Sequence, residues 1–201
     1  MSAKQTLNIK ILSCGGMVDL MSEQEATFLN SSLGLFRNVQ EQGRATPRAN
    51  ASMVRAYRPA HFYSALTMGD DLLHLIAHAN ATTLQVGAGS KITAAKLEVR
   101  AGKGLRMPQV VVSTACKFDG PAWHQCLRAL GVQVLIAARD SVTPANLASF
   151  DMAFYSALLA RIRKGMTIVE RVEESFKLAD RHYRDIHAPG TPFAKFSLIH
   201  L

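Results

Sequence analysis

Apolar residues along this chain come in two rhythms. Short, dense runs alternate with stretches in which apolar side chains recur every three or four positions. The first run, Leu7 to Leu12, reads as a strand and ends at Cys14-Gly15-Gly16. Ser22 with Glu25 makes a capping-box signature. Behind it Ala26, Leu29, Leu33 and Phe36 predict a helix of about four turns. Gln40 to Asn50 is polar, carries Gly43 and Pro47, and is expected to be a loop. Ser52 to Tyr57 is a second strand and Pro59 to Met68 a short helix.

Asp71 to His78, DLLHLIAH, is the next dense run, and a weaker one follows at Thr83 to Val86. Gly87, Gly89, Gly102 and Gly104 punctuate a basic segment with room for a short helix near Thr93 to Val99. The rest of the chain is organised around Gln109 to Gly120, QVVVSTACKFDG. A Val-rich run stopped by turn residues is the pattern of a buried strand in a parallel sheet. Pro121 suits the first turn of a helix. That helix carries Trp123, Cys126, Leu127 and Leu130 on one face and closes at Gly131. Val132 to Ala137 repeats the buried-strand pattern. Thr143-Pro144 opens a helix with Leu147, Phe150, Phe154, Leu158 and Ile162 on one face, ended by Gly165. Thr167 with Glu170 is a second capping box, for a helix carrying Val169, Val172, Phe176 and Ala179. His187 to Pro192 reads as a turn and Phe193 to Leu201 as a last strand. Strands alternating with helices predict an α/β sandwich around a mostly parallel sheet. No repeat interrupts it, so a single domain over residues 1–201 is expected.

Composition agrees with that picture and narrows it. Hydrophobic residues make up 48% and charged residues 19%, values of a globular chain. The net charge is +8, and basic residues thicken at Arg37 to Arg58 and Lys91 to Arg106. Such surfaces permit an acidic partner, but no nucleic-acid recognition motif accompanies them. No apolar run approaches the ~20 residues that span a bilayer. The opening MSAKQTLNIKILSCGG has the outline of a lipoprotein signal, but Asn8 and Lys10 break its apolar part, and it reads as the first strand. Cys14, Cys116 and Cys126 cannot all pair, which suggests a reducing cytoplasm. No C-x-x-C pair is present, so neither a metal nor a cofactor is expected. VGAGSK and AGKGLR lack phosphate-loop spacing, which argues against a flavodoxin-like nucleotide binder.

Two dense runs end in reactive side chains, LLHLIAH at His78 and VVVSTAC at Cys116. In one parallel sheet both ends face the same edge, where active sites of such sheets gather. A thiol beside an imidazole is a workable pair for acyl transfer. Backbone N–H groups at Ala79 and Cys116 could hold an oxyanion. The alternative for each side chain is a packed thiol and a satisfied core histidine. His74 shares a face with His78 and is expected to pack or to reach a polar group. Cys14 and Cys126 read as packing residues, and Trp123, Phe150 and Phe154 as core.

The order of these motifs resembles the CHAT domains, caspase-like cysteine peptidases of the clan that includes caspases, separases and gingipains. DLLHLIAHAN is similar to the family's strand ending in the catalytic His, and QVVVSTACKFDG to the strand ending in the catalytic Cys. The segment from Ala129 to Ala179, with its Phe154-Tyr155 pair, and the closing TPFAKFSLIHL complete the likeness, which covers Asp71 to Leu201. The family's Gly after the catalytic His is Ala79 here, and the Cys is followed by the longer Lys117-Phe118-Asp119-Gly120.

The resemblance implies a caspase-like three-layer sandwich and peptide-bond hydrolysis by a His78–Cys116 dyad. Ala79 and Cys116 would form the oxyanion hole. Asp140 or Asp19 could line the pocket for the residue before the cut and favour a basic one, whereas Arg139 would favour an acidic one. A protein substrate and a regulatory partner or activator are implied, as for bacterial immunity or cell-death effectors. Gly87 to Met107 and Asp140 to Pro144 are the segments expected to move or be cleaved. The rival reading is an interaction module of the same fold without turnover.

Overall fold

The computed structural model describes residues 6–15, 19–35, 48–66, 69–139, 142–160, 165–186 and 195–201. In chain order the elements are β1 (Thr6–Ser13), α1 (Leu20–Leu35), β2 (Arg48–Arg55), α2 (Pro59–Leu66), β3 (Leu72–Ile76), β4 (Thr83–Val86) and β5 (Ser90–Thr93). These are followed by α3 (Ala94–Ala101), β6 (Val110–Ser113), α4 (Pro121–Ala129), β7 (Val134–Ala138), α5 (Pro144–Ala160), α6 (Ile168–Ile186) and β8 (Phe196–His200). Among the described residues, six strands form one sheet in the order β2-β1-β3-β6-β7-β8. All neighbours are parallel except β7 and β8. β4 and β5 make a separate antiparallel hairpin.

Side-chain alternation along the strands supplies two cores. On one face Leu73, Leu75, Val111, Leu135 and Ala137 pack with Phe62, Leu97, Trp123 and Leu127 from α2, α3 and α4. On the other, Leu72, Ile76, Val110, Val112 and Ile136 pack with Leu29, Phe150, Phe154 and Val172 from α1, α5 and α6. Helices thus cover both faces, and the expected three-layer α/β sandwich with a mostly parallel sheet is the observed one. Parallel strands buried on both faces need unbroken apolar runs, and β3, β6 and β7 are buried at every position.

Three boundaries differ from the sequence expectation. β2 begins at Arg48, inside the stretch expected to be loop. Among the described residues it is an edge strand paired only with β1, so small residues such as Ala49 and Ala51 suffice on its inner face. Ser90 to Thr93 is a strand because the preceding turn places it opposite β4. The α1 cap is Asp19, not Ser22. Asp19 Oδ1 accepts from the Ser22 N–H at 3.2 Å, so Ser22 falls inside the first turn. The Thr167–Glu170 box does form, with Glu170 N–H donating to Thr167 Oγ1 at 3.2 Å and Thr167 N–H to Glu170 Oε2 at 2.8 Å. Phe36, Ile162, the polar stretch through residue 47 and the turn at residues 187–192 lie outside the described residues. No described helix is long and apolar enough to cross a membrane.

Candidate active site

β3 and β6 are adjacent, parallel and in register, with Leu75 opposite Ser113. His78 and Cys116 lie equally far beyond that pair, at the same edge of the sheet. Both side chains line one small pocket of about 50 Å³, with Glu25, Thr114, Val142 and Leu147 among its walls. Cys116 is half-buried, and His78 is 57% exposed.

The imidazole has a partner that its own strand does not supply. His78 Nε2 lies 2.9 Å from Asp19 Oδ2. The same oxygen accepts a 2.6 Å bond from Ser22 Oγ. Partial burial pushes the Asp19 carboxyl up, but the Ser22 hydrogen bonds and the neighbouring His78 outweigh it, and the group lies below its ordinary value. Asp19 therefore caps α1 and holds His78 with one carboxylate. Gly15 makes the room. A Cβ there would stand 2.8 Å from Ser22 Cβ and 2.9 Å from Asp19 Oδ2. Asp19 thus faces the imidazole.

Beyond His78 the chain runs into the β4–β5 hairpin. Ala79 bridges Leu84, while Gln85 N–H donates to His78 O and Asn80 N–H to Thr83 O. In this arrangement the flanking residues exchange the bonds, so the Ala79 amide points away from the hairpin. Among the described residues the amides of Ala79 and Cys116 donate no hydrogen bond. Lys117 alone among the described non-glycine residues has a positive φ, 56°, which turns the chain sharply after Cys116. Ala79 therefore takes no left-handed backbone.

One side chain braces both loops. Phe118, in the Cys116 loop, stacks on Trp123 with ring centroids 4.4 Å apart. Trp123 Nε1–H donates to Asn80 O, in the His78 loop, at 2.8 Å. Asn80 Oδ1 in turn accepts from the Thr82 and Thr83 amides. The sequence placed Trp123 in the core, where it is, but gave no sign of this bond.

The remaining residues singled out are placed as follows. Asp140 lies outside the described residues. Arg139 hydrogen-bonds Ser197 and lies 3.6 Å from Asp119, which also meets His124 at 2.9 Å. Cys14 and Cys126 are buried. Burial raises the Cys14 thiol far above its usual range; burial and Glu98 push Cys126 up to about 12. His74 is wholly buried, with Nδ1 2.7 Å from Tyr155 Oη.

No family model matches the chain, and no curated protein matches it significantly. Among solved structures it is similar to one titled "structure of pro-sf-caspase-1". The identity is 8% and the TM-score 0.43, over 98% of this chain and 88% of that one.

Proposed function

We propose that this protein is a cysteine endopeptidase working through Cys116 and His78. The observation that carries the reading is the in-register pairing of β3 with β6, which delivers both side chains to one pocket. His78 Nε2–H donates to Asp19, which leaves the Nδ1 lone pair as the base. His78 takes the Cys116 proton, and the thiolate attacks the scissile carbonyl. The amides of Ala79 and Cys116 receive the oxyanion. His78 then returns its proton to the leaving amine, and water releases the acyl-enzyme. Asp19 keeps the imidazole in one orientation through both transfers.

The motif order of the CHAT domains supports a protein substrate, cytoplasmic action and control by a partner, in the manner of bacterial immunity or cell-death effectors. Asp140 remains the proposed charge for choosing a basic residue before the cut. The test is labelling by a Cys-directed peptidyl electrophile together with cleavage of a peptide library. Labelling and cleavage are expected in the unaltered chain, with both lost in Cys116→Ala and cleavage lost in His78→Ala. Equal labelling of Cys116→Ala would sink the dyad.

A second reading rests on a different surface. A groove of about 900 Å³ between α2 and α3 has Lys91, Lys96, Arg100 and Lys103 around Tyr63 and Val99. Arg100 lies over the Tyr63 ring at 3.7 Å, and Val99 is exposed. This supports an interaction module that holds an acidic partner without turnover. An acidic partner bound with strong salt dependence, by a chain that labels with no electrophile, would favour it.

A further inference from the structure

The core under α1 and α5 contains a polar cluster. His74 comes from the middle of β3, Glu25 from α1 and Asp151 from α5. His74 and Asp151 are completely inaccessible to solvent, and Glu25 is partly buried. His74 Nδ1 makes a normal 2.7 Å hydrogen bond with Tyr155 Oη. On the other side of the ring the distances are long. Nε2 lies 3.5 Å from Glu25 Oε1 and 3.8 Å from Asp151 Oδ2.

Charge-assisted N–H···O bonds settle at about 2.7–2.9 Å, so neither contact has closed into one. Ligand atoms around a tetrahedral metal, each about 2.0–2.2 Å from the ion, stand roughly 3.3–3.6 Å from one another. The imidazole–carboxylate separations are close to that edge length. All three ligand atoms lie within 4.8 Å of one another.

Asp151 supplies an independent sign. Neither of its oxygens has a hydrogen-bond partner among the described residues, although the side chain is fully buried. A buried carboxylate without donors is costly, and an ion is one of the few things that satisfies it. Tyr155 completes the pattern. With Nδ1–H donated to the phenol oxygen, Nε2 presents its lone pair to the carboxylates, as a second-shell partner does for a metal-bound histidine.

We propose that Glu25, His74 and Asp151 bind one divalent transition-metal ion, Zn²⁺ by the donor set, with a water in the fourth position. One imidazole and two carboxylates suit Zn²⁺ better than Mg²⁺ or Ca²⁺, which prefer all-oxygen shells. Two carboxylates, a neutral imidazole and a dication sum to zero charge. Glu25 also lines the pocket that holds His78 and Cys116. The site ties α1 and α5 to β3, the strand that leads to His78. No cysteine takes part and the ligands come from three distant elements, so a search for C-x-x-C spacing does not reveal it. The competing arrangement is a proton in place of the ion.

The test uses the full chain and a Cys116→Ser version, which removes the thiol near the pocket. Each is stripped with a chelator and titrated with Zn²⁺ in a calorimeter, and metal content is measured by mass spectrometry. One Zn²⁺ per chain is expected in both. The melting temperature should rise by about 5–10 °C at a hundredfold excess over Kd. Asp151→Asn and Glu25→Gln should each weaken binding at least tenfold, while His124→Ala, at a surface His–Asp pair, should bind as the unaltered chain does. Co²⁺ should give the intense visible bands of a tetrahedral site. Absence of stoichiometric binding would overturn the proposal, as would equal binding by a folded Asp151→Asn chain. If neither variant folds, a weak octahedral Co²⁺ spectrum in the unaltered chain overturns it. The outcome does not depend on turnover, so failure here and failure of the dyad are separable.

Discussion

At the scale of single residues, Asp19 has two separable jobs. Its carboxylate caps α1 and holds His78. Asparagine caps about as well as aspartate. Asp19→Asn should therefore fold with near-normal stability yet lower kcat on the order of 10²-fold, the usual range for a disturbed acid–base group. Asp19→Ala should lose about 1 kcal/mol of stability as well, measured by urea unfolding. The pH dependence follows from the same group. The folded carboxyl lies below its ordinary value, so its contribution to stability is full above the unfolded value of about 4. That contribution fades as pH falls through the folded value. The Asp19→Asn chain should show a shallower loss of stability in acid over that window. The thiols divide just as clearly. Burial raises Cys14 and Cys126, whereas Cys116 is partly open. Iodoacetamide at pH 8 should modify Cys116 in the native chain and reach the other two only after unfolding; modification of all three at one rate would contradict the buried placement.

At the scale of elements, the site depends on two loops held by α4. Trp123→Phe keeps a ring against Phe118 but removes the donor to Asn80 O. The carbonyl loses its partner, which costs about 1–2 kcal/mol. Turnover should fall further than that loss of folding implies, because the two loops carrying Ala79 and Cys116 are no longer joined. Stability and kcat measured together decide this, and a drop in stability alone would make Trp123 a packing residue only. The hairpin is fixed at its far end by Gly87, whose φ is 65° and whose Cβ, if present, would stand 2.2 Å from Tyr57 O. Its N–H donates to Cys14 O at the end of β1. Gly87→Ala should destabilise the chain by at least 1–2 kcal/mol in thermal unfolding, because both the left-handed backbone and the close approach exclude a side chain.

At the scale of the whole molecule, both cores share one sheet. Leu73 and Leu75 face one core while Leu72 and Ile76 face the other, on a single strand. Damage on one face should therefore reach the other. Phe150 is fully buried and stacks on Phe196 at 3.8 Å. Phe150→Ala should cost about 3–5 kcal/mol. Unfolding should nevertheless remain one transition, with the Trp123 fluorescence on the opposite face changing in step with far-UV circular dichroism. Two separated transitions would mean that the chain holds two domains.

The sequence alone determined the fold class and set His78 and Cys116 just beyond two buried strands. Parallel strands buried on both faces must be written as continuous apolar runs, and such runs end where His78 and Cys116 stand. It also marked the helices, because their apolar periodicity and caps are local. Only the tertiary structure decided what meets those side chains. Asp19 reaches His78 across the sheet edge, Trp123 joins two loops from α4, and Glu25 and Asp151 gather around His74 from separate helices. None of these contacts follows from spacing, because each joins elements whose distance in sequence is unrelated to their distance in the sheet. The first half of the edge strand β2, Arg48 to Ala51, was equally hidden, since backbone pairing with β1 needs little of its side chains. Periodicity records which way a residue faces, whereas a site depends on what faces it.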